Sequence, residues 1–344
     1  MKKNNIIVFS NDNFNFINKF LYFQNKNTLT IIDILRDKFK IRLISKGNKF
    51  KTINKKKVEN VVKENFFSLI KTIKGNNDIK FLFISITPFN FFYFLILKLF
   101  FIKKEKIFIF LRSDGFKEYQ VKLPFIGYYV YFFMFKIFEL GSRFLSCSKY
   151  FEKIKKFKIL LPSELDNLWL KKDFNKKIHK KICLLYVGRF RKEKGYTSLI
   201  NIFKKMNKRL DGYSLYLTLV GSEKKEKFRE KNIKIIKQVN NDTKLKKIYD
   251  SHQIFILPSY TEGYPQVILE SFSRKKPVII FNEIKFLKKI FPKGLFVSER
   301  NEIACTKTIK HILSNYNKII TEIDNINLTL KRNYKFNLIK HLQG

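Results

Sequence analysis

IFILPSYTEGYPQVILESFSRKKPVI, residues 254–279, is the stretch that decides the fold. It opens on four apolar residues, 254–257, and stops at Pro258 and Ser259. A short apolar run closed by turn residues marks a buried strand. Residues 266–276 then carry apolar side chains at helical spacing, and 277–282 return to a β-branched run. Strand, helix and strand in succession make a parallel βαβ unit. Between the first strand and the helix lies TEGYP. It sets Glu262 before a glycine turn and leaves Glu270 eight positions later, inside the helix. Open α/β sheets bind ligands at the carboxyl ends of their strands, and Gly263 has no side chain to block one there.

The same alternation runs outward in both directions. KICLLYVGRF (181–190) reads as a strand and YTSLINIFKKMNKRL (196–210) as an amphipathic helix. YSLYLTLVGS is a strand ending in Gly221, NIKIIKQV a strand, TKLKKIYDSH a helix, and residues 302–315 a further helix. Upstream, KNNIIVFS, TIIDILRDKFKIRLIS, DIKFLFISIT, KIFIFLRSDG and GSRFLSCS read as strands separated by helical or loop segments. YFEKIKKF begins another helix, and KFKILLPSELDNLW carries one more short strand. The chain is therefore expected to be α/β, with two Rossmann-like doubly wound domains facing a central cleft. KKDFNKKIHKK (171–181) is charged, lacks an apolar period and reads as the linker. The expected domains are 1–170 and 171–325, with a C-terminal helix in 326–344 packing back on the first.

Length and composition agree. A chain of 344 residues with 45% hydrophobic content and 39 Phe is ample for two cores and excludes general disorder. Cys147, Cys183 and Cys305 form no CxxC pair, and His179, His252, His311 and His341 show no ligand spacing, so no metal site is expected. The formal net charge of +43 calls for an anionic partner. No zinc finger, helix-turn-helix or RNP-like motif is present, so specific nucleic-acid recognition is not expected. Basic charge beside Phe- and Tyr-rich segments points to an anionic membrane surface. Two such segments are FNFFYFLILKLFFI (89–102) and LPFIGYYVYFFMFKIFEL (123–140). Each is shorter than the ~20 residues that span a bilayer. They read either as core helices or as helices lying on a membrane surface. The N-terminal MKKNNIIVFSNDNF reads as a first strand and not as a signal peptide. The expected location is cytoplasmic, peripheral on the inner face of the cell membrane.

A second polar signal is YVGRFRKEKG, 186–195. A strand ends at Gly188, and Arg189, Arg191, Lys192 and Lys194 follow before a helix. Strand, glycine, basic side chains and helix start compose an anion site. The alternative reading is a solvated basic loop.

VGRFRKEKG, LVGS and the opening stretch together closely resemble family-four glycosyltransferases, the retaining group 1 enzymes of the GT-B fold. That family's E-x7-E motif, in its setting, falls here on Pro258, Ser259, Glu262, Gly263, Tyr264, Pro265, Glu270, Pro277 and Val278. The resemblance covers residues 181–300. It implies that Gly188, Arg189 and Lys194 hold the diphosphate of a UDP- or GDP-linked sugar donor. It implies that Glu270 binds the donor ribose. Glu262 would meet the sugar near its reacting carbon, and the backbone of Gly263, Tyr264 and Pro265 would hold sugar hydroxyls. No two aspartates stand two residues apart, so a DxD metal site is absent and metal-independent departure is expected, with no cofactor. The family's N-domain histidine has no counterpart before His179. Asp114, in RSDG, is the catalytic candidate there; its alternative is a turn-forming Asp before Gly115. The implied reaction is hexosyl transfer to a saccharide or lipid-linked saccharide, in capsule, lipopolysaccharide or glycolipid assembly. Two other readings stand beside it: a polyanion- or nucleic-acid-binding protein, and a degenerate transferase that binds sugar nucleotide without turnover.

Overall fold

The computed structural model describes all residues except 1–3, 18–19, 24–25, 47–53, 58–60, 76–77, 149–155, 171–179, 207–209, 211, 222–229 and 344. Most of the 171–181 linker, His179 and most of YFEKIKKF therefore lie outside the described residues. The chain divides into two units. One is Met1–Glu164 with Lys331–Gly344, and the other is Leu165–Leu330. The division falls six residues before the position 170 suggested by the linker composition.

The first unit carries strands β1 (Asn4–Ser10), β2 (Phe14–Ile17), β3 (Phe20–Phe23), β4 (Phe39–Ser45) and β5 (Asn54–Lys57). Then come β6 (Val61–Lys63), β7 (Ile79–Ile84), β8 (Ile107–Leu111), β9 (Arg143–Ser146) and β10 (Phe157–Ile159). Seven of them form one sheet in the order β10-β9-β8-β7-β1-β4-β6. Its pairings are all parallel. Its helices are α1 (Lys26–Leu35), α2 (Phe66–Gly75), α3 (Pro88–Leu99), α4 (Gly115–Lys122) and α5 (Gly127–Gly141). The central strands are apolar on both faces: Ile6, Ile7, Val8 and Phe9 are all fully buried. That pattern is the signature of a parallel sheet covered by helices on both sides. Phe9 stacks on Phe83 with ring centroids 4.2 Å apart, and Phe94 of α3 meets Phe138 of α5 at 4.2 Å. Phe83 of β7 in turn meets Phe94 at 6.1 Å and Phe138 at 5.7 Å, which knits the sheet to these outer helices.

TIIDILRDKFKIRLIS, read as a strand, is instead the end of α1, a turn at 36–38, and β4. Its Thr and Ile content favours β structure locally. Leu29, Ile32 and Leu35 nonetheless sit on one helical face and are buried, so packing overrides propensity. The 123–140 segment breaks as well: α4 ends at Lys122 and α5 starts at Gly127. The antiparallel sheet β2-β3-β5 went unread because its strands are only four residues each.

The second unit holds β11 (Lys181–Val187), β12 (Ser214–Gly221), β13 (Ile233–Lys237), β14 (Ile254–Leu257), β15 (Val278–Phe281) and β16 (Leu295–Ser298). All pair in parallel, in the order β13-β12-β11-β14-β15-β16. Helices α6 (Tyr196–Met206), α7 (Asp242–Asp250), α8 (Gln266–Ser273), α9 (Leu287–Ile290), α10 (Glu302–Ser314) and α11 (Tyr316–Asp324) complete it. The short β16 went unread. The last helix, α12 (Lys331–Gln343), belongs to the first unit. Tyr334, Leu338 and Leu342 are its buried face, and Lys80 donates to the Leu342 carbonyl.

Candidate functional site

The strand order of the second unit reverses between β11 and β14, which lie side by side. Loops leaving two adjacent strands on opposite courses open a crevice at their carboxyl ends. The two loops that leave are the two polar signals: 188–195 after β11, and 258–265 after β14.

The first loop is shaped by a buried phenol. Tyr186, fully buried in β11, donates from its hydroxyl to the Arg189 carbonyl at 2.9 Å. Burial first, and then the nearby Glu262 charge, push that phenol far above its usual range, so it remains a donor. Gly188 donates to the Val220 carbonyl at 2.9 Å, continuing the β11–β12 ladder by one rung. A Cβ at Gly221 would stand 2.1 Å from the Gly188 oxygen, so the two chains pass too closely for any side chain. Arg189 is exposed at the mouth of the loop. A single 3-10 turn over 192–194 then ends at Gly195, in the left-handed region at φ +66°. A Cβ there would meet the Pro258 oxygen at 2.0 Å. Glycine is thus required twice over, by conformation and by the closeness of the second loop.

The second loop brings the carboxylates. Lys194 Nζ lies 2.6 Å from Glu262 Oε1, and the Ser259 hydroxyl donates to that same oxygen at 2.6 Å. Tyr260 N–H donates to the Glu193 carbonyl at 2.9 Å, so backbone as well as side chain joins the loops. Thr261 Oγ1 is buried with no hydrogen-bond partner among the described residues. Tyr264 is buried, its ring 5.4 Å from Phe291. Its side chain is therefore spent on packing, and the turn of Gly263, Tyr264 and Pro265 presents backbone. Pro265 precedes α8 with no capping side chain. The positive end of the α8 dipole faces the same turn. Inside α8, Glu270 Oε2 accepts from the Tyr249 hydroxyl at 2.8 Å. Tyr249 is fully buried; burial and then the Glu270 charge raise its phenol well above the ordinary value.

Arg300, just past β16, locks the second loop from behind. Its guanidinium lies 4.1 Å from the Tyr260 ring centroid and 4.6 Å from that of Phe281. It donates to the Pro258 carbonyl at 2.9 Å and to Glu283 at 2.6 Å. Burial alone would raise the Glu283 carboxyl; the Arg300 hydrogen bond and charge outweigh it and hold the group below its usual value.

Of the residues singled out in the sequence, Gly188, Arg189 and Lys194 share one loop, and Glu262, Gly263, Tyr264 and Pro265 the next, with Glu270 in the helix that follows. Lys194 and Glu262 are in contact. Asp114 is elsewhere, in the first unit. Its Oδ1 accepts from the N–H groups of Phe116 (3.1 Å) and Lys117 (3.3 Å), making it the N-cap of α4. This N-cap is the turn-forming role named as the alternative. Ser259, Tyr249, Tyr186 and Arg300 carried no role in the sequence reading. Ser259 stood in the motif, but the other three have no local signal; only the fold brings them to the loops.

Residues 169–323, within the second unit, match the family described as glycosyl transferases group 1. The capsular polysaccharide biosynthesis glycosyltransferase CapM of Staphylococcus aureus is 29% identical over 129 residues, which are 35% of this chain and 33% of CapM. The chain thus spans about a third of the length of the curated relatives it matches. Among solved structures, HepE of Anabaena, in complex with UDP and glucose, superposes with a TM-score of 0.68 at 12% identity. That alignment covers 99% of this chain and 100% of HepE. Sucrose-phosphate synthase of Thermosynechococcus elongatus gives a TM-score of 0.67 at 12% identity, over 99% of this chain and 94% of the synthase. With two parallel-sheet α/β units, these likenesses show the GT-B fold.

Proposed function

We propose that the chain is a group 1 glycosyltransferase. In this reading it moves a hexose, with retention, from a UDP- or GDP-linked donor to a saccharide or lipid-linked saccharide. The observation that carries the reading is the meeting of Lys194, Glu262 and Ser259 at the strand-order reversal, with Arg189 on the first loop and Glu270 in the helix that follows the second.

The chemistry follows from charge. As the bond from the anomeric carbon to the diphosphate oxygen breaks, negative charge grows on the diphosphate and positive charge on the sugar ring. Arg189 and Lys194 stabilise the first, and the Glu262 carboxylate stabilises the second. The acceptor oxygen bonds to the anomeric carbon on the face the diphosphate leaves, and its proton passes to the departing phosphate oxygen. Glu270, aimed by Tyr249, accepts from the ribose hydroxyls. The turn at Gly263 and the start of α8 offer backbone N–H groups to the sugar. Asp114 has no part in this scheme. The basic loop supplies the charge that a metal would otherwise bring, so transfer is expected to proceed without one.

CapM's name places that relative in capsular polysaccharide synthesis, and HepE was solved with UDP and glucose. The first supports cell-surface glycan assembly and the second a UDP-sugar donor for this chain. The test is a thermal shift with UDP and GDP at moderate salt, followed by transfer assays on a donor panel with and without EDTA. Saturable stabilisation by one nucleotide and EDTA-resistant transfer are expected. Steeply salt-dependent DNA binding with no nucleotide shift would instead assign a polyanion-binding protein. A nucleotide shift with no transfer from any donor would assign a degenerate transferase.

A further inference from the structure

The two aromatic segments of the first unit are core on one side and bare on the other. Phe94 and Leu97 of α3, and Tyr131, Phe135 and Phe138 of α5, belong to the hydrophobic core. The opposite face of α5 exposes Tyr129, Phe133 and Leu140, at spacings of four and seven. Phe92, Leu95 and Leu99 make a matching exposed stripe on α3. The half-buried Phe91 of α3 lies 6.0 Å, ring to ring, from Phe133, so the two helices that carry the stripes are neighbours. At the turn between α4 and α5 stand Phe125, 94% exposed, and Ile126; beyond α3 stands Phe101, 91% exposed. Scattered exposed apolar residues are ordinary, but a contiguous aromatic face with an apolar tip marks an interaction surface.

We propose that this face docks the first unit on an anionic lipid bilayer, with the α4–α5 turn entering the headgroup layer. Charge selects that occupant. Residues 88–141 carry eight Lys and Arg against four Asp and Glu. Lys103, Lys104 and Lys117 are exposed there. Lys136, within the α5 stripe, lies 5.8 Å from the Phe132 ring centroid and pairs with Glu139 at 2.8 Å, so the excess charge comes from the other lysines. Aromatic side chains at headgroup depth with lysines beside them match an anionic interface. A second copy of the chain fits poorly, because each copy carries a net charge of +43. Among the described residues no helix is long and apolar enough to cross a membrane, so contact is confined to one leaflet. A surface of this kind would hold the enzyme where a lipid-linked saccharide presents its sugar, although the docking itself stands on the first unit alone.

The experiment is flotation of the purified full chain with vesicles of phosphatidylcholine, with and without about a third phosphatidylglycerol. Binding to the mixed vesicles is expected, partly reversed by salt. The paired substitution Phe125→Ser and Ile126→Ser should weaken it at least tenfold. Both side chains are exposed, so folding and any shift given by UDP or GDP should persist, which separates this idea from the donor reading. Phe125→Trp adds a depth probe: brominated lipids should quench the new indole and spare Trp169, buried in the second unit. Equal flotation of parent and paired variant overturns the proposal, as does an unquenched probe. A parent dimer that the paired variant abolishes, without vesicle binding, would give the face to a second copy instead.

Discussion

Lys194 Nζ lies 2.6 Å from Glu262 Oε1, so the residue assigned to the donor phosphate neutralises the residue assigned to the donor sugar. The side chains are only 18% and 12% exposed, and Ser259 adds a hydrogen bond to the same carboxylate oxygen. Without donor, each charge offsets the burial of the other. Lys194→Met should therefore strand the carboxylate and destabilise the protein by roughly 1–3 kcal/mol. Glu262→Gln should do less, because the amide oxygen still accepts from Ser259. A double-mutant cycle by urea denaturation should show coupling near or above 1 kcal/mol; losses that add within about 0.5 kcal/mol would mean the pair is not an energetic unit.

The two carboxylates should separate in kinetics. Glu270 would hold ribose in ground and transition state alike, so Glu270→Gln should raise the donor KM more than it lowers kcat. Tyr249→Phe removes the hydrogen bond that aims Glu270 and should do the same more weakly, at about 1 kcal/mol. Glu262→Gln should lower kcat more, since its charge matters most as the sugar becomes cationic. Steady-state assays over a donor series decide it: the opposite pattern removes the division of roles.

Arg189 tests the phosphate loop with little structural interference. Its side chain is exposed, while its backbone is fixed by Tyr186. Arg189→Ala should leave the melting temperature unchanged and weaken nucleoside diphosphate binding by roughly 2 kcal/mol. Calorimetric titration of a folded variant with unaltered affinity would take the diphosphate away from this residue.

The sequence disclosed the two loops of the candidate site better than it disclosed the first unit, for a physical reason. Loops that hold ligands must use particular residues at particular positions. Gly188, Gly195 and Gly263 with Lys194 and Glu262 therefore leave a readable order. The buried parallel strands were equally plain, because β1, β7, β8 and β14 must be apolar on both faces. Where several residue types satisfy one packing role, the signal fades. Thr28 and Thr30 of α1 look like strand residues. They are tolerated in the helix because their hydroxyls bond to Asp12 and Glu164 across the unit. Arg300 and Tyr249 act across long sequence separations, and periodicity carries no trace of such contacts.

Arg300 is a positioning residue that can be tested as one. Its planar fork reaches Glu283 and the Pro258 carbonyl at once, while its face rests between Tyr260 and Phe281. Lysine keeps the charge but cannot reproduce the fork or the stacking. Arg300→Lys should relax the 258–262 backbone and displace Glu262. A fall in kcat of about tenfold is expected, near 1.4 kcal/mol, with the donor KM little changed. A merely structural role would lower the melting temperature and leave kcat of the folded fraction intact. A folded variant with kcat within about twofold of the parent would rule out positioning.

Stability should fall with acid in two windows. His252 is buried at the end of α7, and its Nδ1 lies 2.6 Å from the Ile248 carbonyl oxygen. Burial, the larger cause, together with Lys276 and Lys234, lowers its folded-state value despite that hydrogen bond. An unfolded histidine titrates at about pH 6.5, so between that point and the lower folded value the unfolded chain binds more protons. Unfolding free energy therefore rises with pH there, and this contribution is complete above about pH 7. Glu283 has the same sign lower down: held below its usual value by Arg300, it loses its contribution only as pH drops beneath about 4.3. Urea denaturation from pH 8 to 5 should show a plateau and then a decline no steeper than about 1.4 kcal/mol per pH unit for each proton taken up. His252→Gln should flatten the arm between pH 7 and 5. His341, also lowered by burial but half-exposed, is the control, and His341→Gln should change that arm less. An arm that persists unchanged in His252→Gln would place the titrating group elsewhere.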